Sequence, residues 1–243
     1  DLKNNQILSC CCAPKTDILI DAEDLSALKD IEVKTIPARI KSIEKKTENI
    51  VEVVLRLPPT ASFKFLEGQF IDVIGPNGVR RSYSIANSND EKWITLFIKR
   101  VENGVLSQYW FEQAKENDLL RIEGPKGSFF FREVKPHIIF LATGTGIAPI
   151  KSILDKLSME SSQCQISVYW GNRKPEDFFW QPEYAHLNIQ YMPVLSKNNE
   201  QWQHAIGYVQ NIAIEEHKTL ENTQVYACGS LAMIKSAKEI CIK

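Results

Sequence analysis

The chain has 243 residues, 44% hydrophobic and 24% charged, with a formal net charge of -1, enough for one large or two modest globular domains with a true core. That balance excludes the strong basic excess of a nucleic-acid binder, and no apolar run approaches the ~20 residues of a bilayer-spanning helix. The opening Asp1-Leu2-Lys3-Asn4-Asn5-Gln6 does not read as a signal peptide, so the expectation is a soluble cytoplasmic protein.

In chain order, Cys10, Cys11 and Cys12 are consecutive, whereas Cys164, Cys228 and Cys241 are scattered. Neighbouring cysteines bridge only with strain, so reduced thiols are expected rather than a disulfide framework. Residues 21–29 are polar and acidic, a linker or short helix. Six β-rich runs follow, at 33–42, 50–57, 69–74, 82–86, 93–99 and 118–122. Several alternate apolar and polar, and turns at Pro58-Pro59, Gly75-Pro76-Asn77-Gly78 and Gly124-Pro125-Lys126-Gly127 separate them. These runs predict a closed antiparallel barrel of about six strands, with one helix at 106–115. From His137 the pattern changes: apolar runs 138–142, 166–170, 189–194 and 225–228 alternate with helices starting near Ala148, Lys174, Ala205 and Ser230. That alternation predicts a parallel sheet covered on both faces.

Four segments carry chemistry. Arg81-Ser82-Tyr83-Ser84-Ile85-Ala86-Asn87 sets Arg81 and Tyr83 on one strand face and Ser84 on the other. It offers a forked cation for phosphate oxygens, a flat ring and a hydroxyl; alone, it also reads as a surface arginine beside a core tyrosine. Gly104-Val105-Leu106-Ser107 sits where a loop enters a helix, a setting that suits a pyrophosphate or simple capping by Ser107. Gly144-Thr145-Gly146-Ile147-Ala148-Pro149 follows a buried strand and opens a helix. Its glycines admit phosphate to the backbone, Thr145 adds a hydroxyl, and Pro149 suits a first helical turn. Tyr226-Ala227-Cys228-Gly229-Ser230-Leu231-Ala232-Met233 ends a strand at the sheet's carboxyl edge, where ligands bind. Arg173, Ser196 and Lys197 end the two intervening apolar runs, either as nucleotide contacts or as solvated surface groups. The four histidines show no metal-ligand spacing, and no Gly-x-Ser-x-Gly or Walker loop is present.

In order and spacing these segments resemble the ferredoxin–NADP reductase superfamily over nearly the whole chain. The resemblance implies a β + α/β fold: an antiparallel six-stranded FAD-binding β-barrel over 33–132, then a parallel-sheet α/β NAD(P)H-binding domain over 133–243. It implies Arg81, Ser82, Tyr83 and Ser84 at the flavin, with Ser84 at N5. Phe97 and Lys99, together with Gly104, Val105, Leu106 and Ser107, are implied for the rest of FAD. Thr143, Gly144, Thr145, Gly146 and Pro149 are implied for NADH or NADPH, with Arg173, Ser196 and Lys197 at its adenosine. Cys228 falls near nicotinamide C4, beside Gly229. Ser84 and Cys228 are the expected catalytic pair, acting through position. Lys197 stands where the family often has arginine, and the choice between NADH and NADPH stays open.

Residues 7–17 resemble the end of a plant-type [2Fe–2S] ferredoxin, with Cys10 as the last cluster ligand of an intact parent protein. The other three ligands belong to a Cys-x4-Cys-x2-Cys loop that this sequence lacks. Residues 1–32 are therefore expected to be a ferredoxin remnant plus linker, without a cluster in this chain. Lys243 lies inside the last predicted helix, where family members continue to a segment near the flavin ring.

Within the superfamily, Gly-Pro-x-Gly-x-Phe-Phe at 124–130 and the 81–87 and 228–234 motifs look especially like the CDP-6-deoxy-Δ3,4-glucoseen reductases. That likeness implies electron flow from NAD(P)H through FAD and an iron–sulfur centre to a partner protein, a sugar dehydratase. Reductase components of phenol-hydroxylase-type oxygenases share the layout. A free-standing NAD(P)H:flavin reductase and a truncated docking module are the remaining alternatives.

Overall fold

The computed structural model describes residues 13–19, 25–75, 78–89, 92–197 and 199–241, and chain contacts divide it into residues 1–30 and 31–243. Cys10, Cys11 and Cys12 lie outside the described residues. In the first unit the described residues contain one helical turn, Ser26–Leu28.

The second unit opens with a six-stranded antiparallel sheet. Its strands are β1 (Lys34–Thr47), β2 (Ile50–Arg56), β3 (Phe70–Ile74), β4 (Arg80–Ser84), β5 (Trp93–Lys99) and β6 (Leu119–Lys126), in the order β4-β3-β6-β1-β2-β5. The two ends meet where Ile85 bridges Leu96 and Ala86 N–H donates to the Thr95 carbonyl at 2.8 Å, which closes the expected barrel. Period-two alternation explains why it folds: Ala38, Ile40, Val51, Val53, Leu55, Ile94, Leu96 and Ile98 all turn into one core. β1 continues past the expected end at 42, because its pairing with β2 runs through two register shifts to Thr47. Gly124-Pro125-Lys126, expected as a turn, is the end of β6. A Cβ on Gly124 would stand 2.8 Å from Ile71 Cγ2, so glycine lets β6 lie close against β3. The expected helix at 106–115 is one short helix, α1 (Val105–Gln108), that widens into a π-turn at Tyr109–Gln113 and buries Tyr109 and Trp110.

The rest is a parallel sheet in the order β10-β9-β8-β7-β11. It comprises β7 (His137–Thr143), β8 (Gln165–Asn172), β9 (Asn188–Leu195), β10 (Ala205–Ile206) and β11 (Thr223–Cys228), with helices α2 (Ile147–Met159), α3 (Val209–Glu216) and α4 (Leu231–Cys241). One face packs Ile138, Phe140 and Ile166 against α2, together with Ala86 and Phe97 of the barrel. The other packs Ile139, Leu141 and Tyr169 against α3 and α4.

Two helix expectations are corrected. The helix expected near Lys174 is a single turn, Pro175–Asp177. The aromatic residues after it instead pack on Trp170, with Phe178 at 5.2 Å and Phe179 at 5.1 Å between ring centroids; that packing outweighs a local preference for helix. The helix expected near Ala205 is β10 followed by α3. Gly207, at φ 138°, separates the two, a conformation that ends any helix begun before it.

Candidate functional site

A cleft of about 1030 Å³ lies at the carboxyl edge of the parallel sheet and is lined by residues from both halves. That edge is where open parallel sheets bind ligands, and the volume is that of a cofactor-sized site.

On the barrel side the lining includes Ser82, Tyr83 and Ser84 of β4 and Phe97 and Lys99 of β5. Tyr83 is half-buried, its hydroxyl accepts the Trp110 indole N–H at 3.1 Å, and the two rings meet edge-on at 6.3 Å. Burial raises the Tyr83 phenol above its ordinary range, against the opposing effects of Trp110 and Arg81; the ring stays neutral and fixed. Ser82 donates to Asp72 at 2.6 Å, Lys126 pairs with Asp72 at 2.7 Å and with Glu123, and Arg80 pairs with Glu123 at 2.6 Å. The hydrogen bonds from Lys126 and then Arg80 pull Glu123 down to about 2. Burial pushes Asp72 upward, but the bonds from Lys126 and Ser82 outweigh it and leave it lowered. This network ties β3, β4 and β6 together beneath Tyr83 and Ser84.

On the nucleotide side the lining includes Thr143, Gly144, Thr145 and Gly146, then Arg173, Ser196, Cys228 and Gly229. Gly144-Thr145-Gly146 forms one turn into α2, whose start carries no side-chain cap. A helix start carries a partial positive charge, and Gly146 and Ala148 at this one line the cleft. Trp170 holds the turn by donating to the Gly144 carbonyl at 2.8 Å. Gly144 has φ 55° and nothing within 4 Å of a Cβ, so its open face is available to a ligand. A Cβ on Gly146 would lie 2.3 Å from the Cys228 carbonyl oxygen; the bare glycine is what lets the first strand-to-helix turn touch the end of β11. Thr143 Oγ1 accepts the Ser230 N–H at 2.9 Å and completes that junction. Burial pushes the Cys228 thiol up to about 11, so it stands in the cleft as a neutral group.

Several expected residues do not line this cleft. Arg81 is exposed and donates to the Arg80 carbonyl at 2.7 Å, with no ion pair among the described residues. Leu106 is buried in the barrel core, and Ser107 Oγ accepts the Val101 N–H at 2.7 Å. Val105 lies with them on α1, and Gly104 is the residue that precedes it. Pro149 is buried inside α2, and Lys197 is exposed beside the cleft residue Ser196.

Other lining residues escaped the sequence reading: Asn172, Asp177, Tyr208, Gln210 and Ser236. Asn172 Nδ2 and Gln210 Oε1 are buried polar atoms without a hydrogen-bond partner. Buried polar groups are normally satisfied, so these two mark places where a polar ligand fits. Tyr208 is 62% exposed at the start of α3 and offers a flat face. The available signal was Gly207-Tyr208 immediately before an apolar helix.

The residues present therefore fit a dinucleotide on the parallel sheet and a second planar cofactor on the barrel. The profile of the oxidoreductase FAD-binding domain matches residues 37–131, and that of the oxidoreductase NAD-binding domain matches residues 140–239. The chain is 44% identical over 243 residues to the CDP-6-deoxy-L-threo-D-glycero-4-hexulose-3-dehydrase reductase of Yersinia pseudotuberculosis, covering 98% of this chain and 74% of that protein. It is 38% identical to protein RfbI of Salmonella typhimurium, covering 98% of this chain and 73% of that one. Among solved structures, the ferredoxin reductase in carbazole 1,9a-dioxygenase superposes with a TM-score of 0.78 at 24% identity, over 88% of this chain and 66% of that one.

Proposed function

This chain belongs to the ferredoxin reductase family of FAD- and NAD-binding oxidoreductases and acts as an NAD(P)H-dependent FAD oxidoreductase; we propose that it passes its electrons, through a [2Fe–2S] centre, to a deoxysugar dehydratase. The observation that carries this reading is the shared cleft, in which Ser84 and Tyr83 of the barrel face the same space as Thr143–Gly146 and Cys228. Held there, FAD would supply hydride acceptance from a reduced nicotinamide and release of the electrons one at a time.

The chain's own residues bind and orient. Ser84 offers a hydroxyl at the reacting edge, and Tyr83, held by Trp110, supplies a flat neutral wall. The Gly144–Gly146 turn and the start of α2 take the nucleotide phosphates. Asn172, Gln210 and Tyr208 receive its polar and aromatic remainder. Cys228, a neutral thiol, packs against the nicotinamide and transfers no proton. Arg81, exposed and in no ion pair among the described residues, would hold the FAD pyrophosphate with its forked guanidinium. Rate then comes from alignment of donor and acceptor.

The dehydratase partner is supported by the name of the relative at 44% identity, a hexulose-dehydrase reductase. We read residues 1–32 as the end of a ferredoxin domain plus a linker, 33–132 as the FAD half and 133–243 as the nucleotide half. No helix among the described residues is long and apolar enough to cross a membrane. The test combines the purified protein with a [2Fe–2S] ferredoxin and a pyridoxamine-phosphate-dependent CDP-hexulose dehydratase. Sugar deoxygenation that depends on NADH and on this protein is the expected result. NADH oxidation that supports an oxygenase but never the dehydratase would remove the partner from the reading.

A further inference from the structure

Helix α2 begins at the nucleotide turn and runs back along the barrel. Three of its residues, Ser152, Lys156 and Met159, are spaced i, i+4 and i+7, on one face. That face meets the segment just after β4. Ser152, fully buried, donates to the Asn87 carbonyl at 2.6 Å. Lys156 pairs at 3.3 Å with Glu67, a carboxylate 4% exposed that also accepts the Asn89 N–H at 3.1 Å. Met159 sulfur accepts the Ser88 hydroxyl at 3.5 Å.

Asn87 is itself rigid. Its Oδ1 accepts the Thr95 N–H at 2.6 Å, and its Nδ2 donates to the carbonyls of Trp93 at 3.0 Å and Ser88 at 2.9 Å. It stands three residues beyond Ser84. Ser152 stands six residues beyond Gly146, about 9 Å along a helix at 1.5 Å per residue. One hydrogen bond therefore joins the strand that carries Ser84 to the helix that carries the phosphate turn, through two stiff arms.

We propose that Ser152 is a positioning residue for hydride transfer: its bond to Asn87, seconded by Lys156–Glu67, fixes the distance and angle between the two half-sites of the cleft. The proposal rests on the functional reading above. The Ser152 hydroxyl touches no reacting atom. Its effect reaches the chemistry through geometry, where a displacement of about 1 Å can cost up to about a hundredfold in rate.

The test uses the full chain, with variants Ser152→Ala, Ser152→Thr and Lys156→Met, mixed anaerobically with NADH. In Ser152→Ala, flavin reduction at saturating NADH should slow about ten- to a hundredfold. The long-wavelength charge-transfer absorbance of stacked nicotinamide and flavin should fall, while flavin content and NADH affinity stay within about twofold. Amide exchange over 85–89, measured without NADH, should quicken. Ser152→Thr, which keeps the hydroxyl, should restore rate and band, and Lys156→Met should show a smaller loss of both. A Ser152→Ala protein that is less stable yet reduces flavin at the wild-type rate with an undiminished band would overturn the proposal. If that variant does not fold, a wild-type rate and band in Lys156→Met overturn it equally. A wild-type protein that NADH does not bleach would instead sink the functional reading, and the proposal with it.

Discussion

Thr143 occupies the space that a side chain on Gly229 would need: a Cβ there would stand 2.1 Å from Thr143 Oγ1 and 2.9 Å from its backbone nitrogen. Gly229 also has φ 146°, a conformation that side chains rarely adopt. The ends of β7 and β11 can meet at the cleft only because this residue is bare. Gly229→Ala should therefore destabilise the chain by about 3 kcal/mol and weaken NADH binding more than tenfold, with flavin content preserved. Urea unfolding and NADH titration check both. Unchanged affinity in a folded variant would show that the junction does not shape the nucleotide site.

Cys228 gives a prediction of the opposite kind, a flat line. Because burial pushes its thiol up to about 11, it is protonated across the working range. Flavin reduction in stopped flow should show no ionisation near the ordinary thiol value of 9.0. Cys228→Ser should lower the rate several-fold without changing the shape of the pH profile. An inflection near that value, present in wild type and lost in Cys228→Ser, would mean that the thiolate takes part.

Asp177 lines the cleft with Arg173 and Ser196, past the end of β8. A carboxylate at the adenosine end accepts hydrogen bonds from a ribose diol and repels a 2′-phosphate. NADH should be the better donor, and Asp177→Ser should raise kcat/KM for NADPH relative to NADH about tenfold, or about 1.4 kcal/mol. Comparison of the two donors in both proteins tests this. A wild-type preference for NADPH would mean that Arg173 and Lys197 dominate.

At the opposite edge of the sheet, His137 and His217 stack edge-on at 4.6 Å, and the Tyr169 hydroxyl reaches Glu216 at 2.6 Å and His217 at 2.9 Å. Burial first, and the neighbouring His217 second, lower His137 below its ordinary 6.5. Between that lowered value and 6.5 the unfolded chain binds a proton that the folded chain refuses. Stability should therefore fall as pH drops below about 6.5 and gain nothing from this group above it. His137→Gln should flatten the dependence of the urea midpoint on pH in that window. An equal slope in the variant would assign it to other groups.

Much of the fold was legible because the barrel strands alternate in the simplest way: Val51 to Arg56 reads inside and outside in turn. The glycine turn was legible for a related reason, since Gly144 and Gly146 meet a local backbone requirement that can be read from neighbours alone. The single turn at Pro175–Asp177 was not, because what decides it is the packing of Phe178 and Phe179 on Trp170, in a different strand. Asn172 and Gln210 were missed for the same reason. Their meaning lies in being buried and unpartnered, which no local pattern encodes. Ser84 and Cys228 were found by spacing within motifs, whereas their meeting in one cleft rests on packing between residues far apart in sequence, as where Ala86 and Phe97 join the core of the parallel sheet and Ser152 bonds Asn87, 65 residues away.

The most direct measurement is an anaerobic visible spectrum of the purified protein, before and after addition of NADH. Bound flavin bands that bleach on mixing, with about one equivalent of NADH consumed per flavin, are the predicted result. A protein that binds no FAD even when it is supplied, or whose flavin bands stay unchanged with both NADH and NADPH, would contradict the claim that this cleft joins the two cofactors for hydride transfer.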